Sequence, residues 1–427
     1  MSILRGMYSG VSGLGAESEA LSVVADNVAN AGTAGFKQQR ALFEDALGHS
    51  MTQDGPGAGV RVGSVQQAFT QGTLAHTGVS GDLALTGEGF FILSGSQGGL
   101  SGDFYARNGA FHLDADGQLV NQVGLEVQGY AAAPRGAFAA GISTVRLPTA
   151  ALPAQPTSSI QITANLDASA QPPSAPWDPQ APELTSNFAT SLRVYDSLGN
   201  AHDLAICFRT AASGLVSWYA VAEGGDLNGG TAGQNVVLGE GALLFDTNGA
   251  LQSSVTVTPT SVDFVGATPG QAIDLVLGTS LAASGSGLDG VTQFASPFNF
   301  SALSQDGYTS GSPSGFVVNA HGVVSGLYTN GELVPVAQLA VATFRAKSGL
   351  GRAGDGVWIA TRESGSAALG TAGTGRGGVS QGALEQSNVD LAEQFVGLIG
   401  HQRAFQANSK VISTADDMLA ELVALKR

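Results

Sequence analysis

The chain has 427 residues, of which 43% are hydrophobic and 12% are charged, so it is long enough for two or three domains and too apolar to be disordered. Its formal net charge of -16, with only 18 Lys and Arg residues, argues against nucleic acid as a partner, because a phosphate backbone attracts clustered basic residues. The single cysteine, Cys207, excludes an intrachain disulfide, and its apolar surroundings predict a small buried side chain.

The N-terminus does not look like a secretory signal, because residues 1–6 lack a basic start followed by an unbroken apolar run. No window is apolar enough over a sufficient length to span a bilayer, so no membrane insertion is expected. From the residues alone, the expected location is cytoplasmic.

The first predicted element is a helix over residues 4–28. Its apolar and small residues recur three and four positions apart, which draws a narrow seam along one side: Leu4, Met7, Val11, Leu14, Ser18, Leu21, Ala25 and Val28. The only comparable seam lies at the other end of the chain: Phe395, Leu398, Gln402, Phe405, Ser409, Ile412, Asp416, Leu419 and Val423. We interpret the two ends as one coiled pair, or as a pair completed by other subunits. Such positions are more often simply packed core, so spacing alone leaves self-assembly open.

The middle of the chain is Gly-rich and predicts strands. Residues 36–47 could add another helical turn or two before a Gly-Pro break at 54–59. From residue 60 onward, short alternating runs predict strands, joined by hairpins in which Asp or Asn and Gly supply the turn, at residues 111–120, 195–200, 245–249, 318–322 and 328–331. Eight of the 15 prolines lie between residues 148 and 182, which marks the start of an inserted module. Residues 387–390 predict the N-terminal cap of the last helix.

The predicted fold class is multidomain α+β, with long terminal α-helices paired in a coiled-coil-like stalk and two mainly-β domains nested between them. Residues 1–35 with 380–427 would form a terminal helical domain, the inner core of a polymer. Residues 36–68 with 362–379 would form a connector, residues 69–145 with 285–361 an inner β domain, and residues 146–284 an inserted outer β domain.

No catalytic or metal-binding pattern stands out. Residues 378–382 match Gly-x-Ser-x-Gly, but they follow a Gly-rich connector instead of a buried strand. Asp114 and Asp116 resemble the start of a calcium loop, but its twelfth position would be Leu125, so a turn is favoured. The chain is therefore expected to be no enzyme and to use no cofactor or metal.

Two long stretches resemble the terminal signatures of the bacterial flagellar rod and hook proteins. These are residues 25–37, Ala-Asp-Asn-Val-Ala-Asn-Ala-Gly-Thr-Ala-Gly-Phe-Lys, and residues 382–391 continuing into 402–408. The signature positions are Asn27, Asn30, Gly35, Phe36, Lys37, Leu384, Ser387, Asn388, Val389, Asp390, Gln402 and Arg403. The resemblance covers the whole chain, strongly at its ends and loosely from 146 to 284. Within the family, the length and the insertion favour a hook-type subunit.

The resemblance implies a structural subunit that polymerises into a short, curved, flexible tube, a universal joint that transmits motor torque from rod to filament. The implied partners are other copies of the chain, the rod, the hook cap, the hook–filament junction proteins and the flagellar type III export apparatus. The implied location is the flagellar hook, reached without a cleaved signal peptide, which replaces the cytoplasmic expectation. The alternatives are a distal-rod-type axial protein and, outside the family, an extracellular β-rich adhesive or binding module.

Overall fold

The fold is mainly β. The computed structural model describes residues 2–46, 59–133, 136–373 and 375–424. Of the chain, 44% lies in strands and 18% in helices. The described α-helices are α1 (Ser2–Ala29), the single turn α2 (Pro182–Thr185) and α3 (Leu391–Ala424), and three short 3-10 helices cover Gly224–Asp226, Leu281–Ala283 and Lys347–Gly349. The expected class, an α+β protein organised around a coiled-coil-like helical stalk, is therefore wrong. The Gly-rich sequence between the terminal helices favours short strands and tight turns so strongly that sheets dominate.

The chain forms two compact units. Unit 1 comprises Met1–Thr149, Gly315–Leu327 and Leu333–Arg427, and unit 2 comprises Ala150–Ser314 and Tyr328–Glu332. Unit 2 extends beyond residue 284, the predicted end of the outer domain, because two later strands pair with its first strand. The fourfold division of the chain stays a prediction.

Unit 1 is built on a sheet of twelve described strands. The strands are β5 (Phe90–Gln97), β6 (Leu100–Ala106), β7 (His112–Leu113), β8 (Leu119–Val120), β9 (Glu126–Ala132), β10 (Phe138–Thr144), β22 (Pro313–Val318), β23 (Val323–Tyr328), β24 (Leu333–Thr343), β25 (Gly351–Gly354), β26 (Val357–Ile359) and β27 (Ala368–Thr371). Their main order in the sheet is β22-β23-β24-β9-β5-β6-β26-β25, with β7, β8, β10 and β27 attached.

Strand β5 shows why this sheet is buried on both faces. Successive side chains of a strand point to opposite sides. Phe91 and Leu93 therefore enter one core, whereas Phe90 and Ile92 enter a second core with Trp358. A run of four large apolar residues thus fills two cores at once.

Two short antiparallel pairs join the N-terminal and C-terminal parts of unit 1. Strand β28 (Gly378–Gln381) pairs with β4 (Leu83–Thr86), and β29 (Ala383–Glu385) pairs with β3 (Leu74–His76). Residues about 300 positions apart along the sequence are therefore neighbours beside the terminal helices.

The helical turns expected over residues 36–47 are wrong. Strand β1 (Gln39–Asp45) pairs antiparallel with β2 (Val60–Gln67), from Gln39 opposite Gln67 to Asp45 opposite Val60. The ribbon packs against α1, where the Val60 N–H donates to the Ser12 hydroxyl at 3.2 Å. This tertiary contact outweighs the weak local preference of the segment for helix. Residues 47–58, which include most of the predicted Gly-Pro break, lie outside the described residues.

Unit 2 contains two larger sheets and one separate two-stranded sheet among its described residues. Strands β12 (Phe188–Tyr195), β13 (Ala201–Ala212), β14 (Leu215–Glu223), β15 (Asn235–Phe245) and β16 (Leu251–Thr258) form an antiparallel meander. The second sheet joins β11 (Ser159–Asn165), β19 (Asp274–Val276), β20 (Val291–Thr292) and β21 (Asn299–Gln305), and β17 (Ser261–Val262) pairs with β18 (Gln271–Ala272). Ile160, Phe208 and Trp218 lie in the shared core.

Cys207 lies in β13 and is completely buried, as the sequence predicted. Burial raises the pKa of its thiol to about 11, since the charged thiolate is disfavoured away from water. The side chain therefore acts as a small apolar residue.

The five predicted hairpins are confirmed, and most share one local device. At Asp196, the carboxylate Oδ1 accepts the N–H groups of Leu198 and Asn200, both at 2.8 Å, while Gly199 adopts φ +85°. The same pattern, with Gly three residues after the acceptor, recurs at Asp114, Asn121, Asp246 and Asn319. Local chemistry fixes these turns, because the side-chain oxygen mimics a backbone acceptor and Gly tolerates the left-handed conformation.

We expect the Asp196 turn to make unit 2 sensitive to acid. Burial raises the pKa of Asp196, but the hydrogen bonds from Asn200, Leu198 and His202 outweigh burial and leave the pKa below its ordinary value. A lowered folded-state pKa contributes stability above the unfolded pKa of about 3.9, and this stability is lost as the pH falls through the folded pKa. Thermal unfolding followed from pH 6 to pH 2 should show this loss, and Asp196→Asn should reduce it. The exposed-carboxylate control Asp203→Asn should not, and equal profiles for both variants would refute the assignment.

Candidate functional site

The structure offers no obvious catalytic centre among its described residues. Within them, no group of three or more His, Cys, Asp or Glu side chains is arranged to hold a metal ion. None of the described helices has the length and apolarity that crossing a membrane requires. Ser380, the central residue of the Gly-x-Ser-x-Gly match, lies within strand β28 and not at a strand-to-helix turn. Many of the signature residues lie close together where α1 ends and α3 begins.

We call this region the terminal junction, and Glu385 at the end of β29 lies at its centre. Its carboxylate accepts hydrogen bonds from the Lys37 ammonium at 2.6 Å, the Gly72 N–H at 2.9 Å and the Arg107 guanidinium at 3.2 Å. The Glu385 carbonyl also accepts the Gly35 N–H at 2.7 Å. The side chains of Lys37 and Glu385 are fully buried. One carboxylate thus ties three separate segments to the C-terminal strand.

Lys37 and Arg107 lose most of their hydration when they are buried, and the negative charge of Glu385 offsets part of this cost. Burial lowers the pKa of Lys37 and of Arg107, while the negative charge of Glu385 opposes this change in both. Lys37 also donates to the Thr70 carbonyl at 2.8 Å, and the Arg107 guanidinium lies 5.5 Å from the centre of the Phe90 ring. These contacts replace part of the hydration that each cation loses.

Asn27 forms a second anchor between the two terminal helices and the sheet ribbon. Its Nδ2 donates to the Gln39 carbonyl at 2.7 Å and to Gln394 Oε1 at 2.9 Å, and its Oδ1 accepts the Gln39 N–H at 2.8 Å. Asn27 is completely buried, and Gln39 and Gln394 nearly so. The side chain of one residue therefore links α1, β1 and the first turn of α3.

Asn388 forms a third anchor just before α3. Its Oδ1 accepts the Gln38 N–H at 2.7 Å, and its Nδ2 donates to the Ala68 carbonyl and to Thr70 Oγ1, both at 2.8 Å. Two residues later, the Asp390 carboxylate accepts the N–H groups of Ala392 and Glu393 at 2.8 and 3.3 Å. Asp390 is thus the N-cap of α3, as the sequence predicted.

The remaining signature residues have smaller roles. Gly35 adopts φ +71°, and a Cβ there would lie 2.5 Å from the Asn108 nitrogen, so only Gly fits. Asn30 donates to the Asp26 carbonyl at 2.9 Å and closes the end of α1. Phe36 is buried. Leu384, Ser387 and Val389 are half-buried, and Gln402 and Arg403 are exposed on α3.

Sequence reasoning missed four residues of the junction: Gln39, Arg107, Glu385 and Gln394. A usable signal was present for two of them. In a chain with 12% charged residues, Arg107 and Glu385 each stand directly after apolar strand residues. An isolated charge in such a place favours a buried partner of opposite sign.

The helix pair itself packs through small residues. The buried face of α1 consists of Gly10, Gly13, Ala16, Ala20, Val24 and Asn27. A Cβ on Gly10 would lie 3.1 Å from Ile412 Cγ1, and one on Gly13 would lie 2.6 Å from Asn408 Nδ2. Close by, His401 Nδ1 lies 2.7 Å from the Glu17 carboxylate. The helices approach closely because these positions have almost no side chain.

Most of the predicted seam residues are not buried between the two helices, although Ile412 of the α3 seam packs against Gly10. On α1, Leu4, Val11 and Ala25 are exposed, and Met7, Leu14, Leu21 and Val28 are half-buried. On α3, Phe395, Phe405 and Val423 are exposed, and Leu398, Ile412 and Leu419 are half-buried. Tyr8 and Val396 are also 67% and 72% exposed. The single chain therefore leaves large apolar side chains uncovered on both helices.

Four family models match the chain. They are described as flagella basal body rod protein at residues 7–37, flagellar hook protein FlgE/F/G D1 domain at 84–166, flagellar basal body protein FlaE D2 domain at 165–308, and flagellar basal body rod FlgEFG protein C-terminal at 380–425.

Curated relatives and a solved structure agree with these models. The chain is 35% identical to flagellar hook protein FlgE of Salmonella typhimurium, over 97% of this chain and 98% of that protein. It is 32% identical to the same protein of Treponema pallidum, over the full length of both. The fold is similar to that of Helicobacter pylori flagellar hook protein FlgE2, with a TM-score of 0.51 at 14% identity, covering 73% of this chain and all of that one.

Glu385→Gln should destabilise unit 1 strongly, because it leaves two buried cations without a counter-charge. We expect the free energy of unfolding, measured by urea titration with circular dichroism, to fall by roughly 3–5 kcal/mol. The control Glu44→Gln breaks the exposed Glu44–Arg61 pair and should cost less than about 1 kcal/mol. Similar small losses for both variants would mean that the junction charges contribute little.

Gly13→Leu should weaken the pairing of α1 with α3. The new side chain must displace Asn408, and such overpacking costs roughly 1–3 kcal/mol. Gly15→Leu is the matched control, since a Cβ at Gly15 meets nothing within 4 Å and both variants gain the same helix propensity. Thermal unfolding monitored at the helical signal should separate the two variants, and identical unfolding curves would contradict the observed helix face.

Proposed function

The chain belongs to the flagellar hook protein family, and we propose that it acts by polymerising through its helix pair into a short, curved, flexible tube. It is a structural subunit of the bacterial flagellar hook and self-assembles within the flagellar axis. In the proposed role, the tube is a universal joint that transmits motor torque from rod to filament.

The observation that carries the proposal is the uncovered apolar surface of α1 and α3. Tyr8 and Val11 are more than half exposed on α1, as are Phe395 and Val396 on α3. Between the start of α1 and the C-terminal half of α3, a groove of about 610 Å³ is lined mainly by small and apolar residues: Gly6, Ala407, Lys410, Val411, Thr414, Ala415 and Met418. Exposed apolar patches of this kind mark protein–protein contacts, because water disfavours them. Neighbouring copies of the chain would cover these faces.

The seam residues take on their proposed role in this assembly. In one chain they are exposed or half-buried, so they are available to contact other subunits. The residues concerned are Leu4, Met7, Val11, Leu14, Leu21, Ala25, Val28, Phe395, Leu398, Phe405, Ile412, Leu419 and Val423. This arrangement corresponds to the second interpretation of the seams, a pair completed by other subunits.

The further partners follow from family membership. The tube would join the rod at one end and the hook–filament junction proteins at the other, and it would grow under a hook cap. Export of the unfolded chain through the flagellar type III apparatus, without a cleaved signal peptide, would deliver subunits to an extracellular hook. A chain whose only cysteine is buried can fold after such export without forming disulfides.

Charged residues on the uncovered helix faces should block assembly without unfolding the subunit. Tyr8→Asp with Val11→Asp would place two carboxylates where apolar contact with a neighbour is required, so we expect complete rods that lack a curved tube and a filament. The assay is electron microscopy of basal bodies from a strain in which the variant replaces this gene. Val123→Asp, an exposed apolar residue in a turn of unit 1, is the control and should give normal hooks.

Circular dichroism of the purified variants checks that their strand content is unchanged. Normal hooks in the Tyr8 and Val11 variant would remove these faces from the assembly surface. Missing or shortened rods would instead favour a distal-rod role.

A further inference from the structure

We infer that Asn228 is a site of spontaneous deamidation, at which water converts the side-chain amide into a carboxylate and ammonia is released. The reaction needs an Asn–Gly pair and solvent, and no enzyme or cofactor takes part. The new carboxylate then loosens the contact between the loop after β14 and the segment after β17. The reacting residues and both loops belong to unit 2, so the reaction proceeds in the isolated chain and is independent of assembly.

Asn–Gly pairs are the first requirement of the reaction. The chain contains four of them, which begin at Asn108, Asn228, Asn248 and Asn330. In such a pair the backbone nitrogen of the glycine can attack the side-chain carbonyl carbon of the asparagine, because glycine has no side chain to obstruct the approach. The nitrogen must also be free of other bonds, and the backbone must have room to move. The surroundings of each pair therefore decide whether it reacts.

Three of the four pairs are held in place. Gly249 and Gly331 donate their backbone N–H groups to the carbonyls three residues earlier, at 3.1 and 2.9 Å, so both nitrogens are already bonded. Gly109 is buried, and a Cβ there would collide with the Leu83 carbonyl oxygen. The backbone at Gly109 therefore has no room to rearrange, and all three pairs should react slowly.

The Asn228–Gly229 pair lacks these restraints. Both residues are exposed, and a Cβ on Gly229 would meet nothing within 4 Å. Among the backbone hydrogen bonds of the described residues, none has the Gly229 N–H as its donor. The Gly229 nitrogen is therefore open to solvent and unobstructed in its approach to the Asn228 side chain.

The chemistry balances without an oxidant or a reductant. The Gly229 nitrogen loses its proton to solvent and forms a bond to Asn228 Cγ, while the Cγ–Nδ2 bond breaks and ammonia leaves with a proton taken from water. The product is a cyclic succinimide. Water then adds to one of its two carbonyl carbons and opens the ring, which yields aspartate or isoaspartate. The rate should rise with pH, because the attacking nitrogen must first be deprotonated.

The reaction would remove a contact that joins two loops of unit 2. Asn228 Nδ2 donates to the Phe264 carbonyl at 3.2 Å, and the Asn228 N–H donates to the Asp263 carbonyl at 2.8 Å. A carboxylate at this position has no proton to donate, so its oxygen would face the Phe264 carbonyl oxygen unpaired. The added negative charge also meets repulsion, because acidic residues far outnumber the two basic residues of unit 2, Arg193 and Arg209.

The test is incubation of the purified full-length chain at mildly alkaline pH, followed by peptide mass spectrometry. Cleavage after glutamate releases residues 224–240, in which Asn228 begins the only Asn–Gly pair. We expect deamidation at Asn228 to proceed at least about tenfold faster than at each of the other three pairs, which corresponds to about 1.4 kcal/mol in activation free energy. Asn228→Gln should abolish the fast reaction.

The same incubation in urea is the control for the role of the fold. Once the hydrogen bonds of Gly249 and Gly331 and the packing of Gly109 are lost, the four pairs should react at similar rates. Equal rates at the four pairs in the folded chain would overturn the inference, as would faster reaction at Asn248 or the absence of product at Asn228.

The structural consequence is tested with Asn228→Asp, which carries the carboxylate of the aspartate product. Hydrogen exchange should become severalfold faster in residues 224–230 and 260–267, because the bond to the Phe264 carbonyl is lost. Gln252→Glu makes the same change of amide to carboxylate at an exposed position of β16 and should leave both segments unchanged. Equal exchange in the two variants would refute the loosening of this contact.

Discussion

One buried carboxylate constrains how the two ends of this chain come together. Removing Glu385 from water is unfavourable unless its oxygens are fully bonded, and the required donors come from Lys37, Gly72 and Arg107, which lie far apart in the sequence. The carboxylate is therefore satisfied only when the segment after α1, the chain before β3 and the end of β6 have all reached their native positions. For this reason the N-terminal and C-terminal segments of unit 1 depend on each other for their structure.

The rest of unit 1 extends this constraint in both directions. Strands β29 and β28 pair with β3 and β4, which places the start of α3 beside the end of α1. The helices then pack through the glycine and alanine face of α1, because only small side chains permit the close approach seen at Gly10 and Gly13. Since the small face is used within the chain, the face with Leu4, Val11 and the exposed Tyr8 remains uncovered. The proposed assembly surface is thus a direct result of which face of α1 packs against α3.

Structures that depend on neighbouring residues were predictable from the sequence, whereas contacts between residues far apart in the sequence were not. The turns at Asp196 and Asp246 and the N-cap at Asp390 depend on groups within four residues, so their residue types were sufficient. The sequence predicted a seam of large apolar residues on α1. The residues that are buried against α3 include Gly10, Gly13 and Ala16, which recur at a similar helical spacing and are small enough for close packing. Strand β1 was missed because its partner begins about 20 residues later, and Glu385 because its cations lie about 300 residues away. The helical stalk was overestimated for the same reason: two strong local patterns at the ends outweighed many short strands whose pairing is not visible locally.

Unit 1 combines apolar cores with a buried polar network at the terminal junction, and it leaves apolar faces of α1 and α3 uncovered. At the junction, buried charges and amides favour one arrangement, because each group loses free energy when it is displaced from its partner. On the uncovered helix faces, the available contacts are apolar, and their strength depends on the area removed from water and only weakly on direction. Neighbouring subunits joined in this way can shift slightly while remaining in contact, as a curved tube must when it rotates about its own axis. Directional bonds within unit 1 and non-directional contacts at the proposed assembly surface can therefore preserve the structure of unit 1 while the polymer bends.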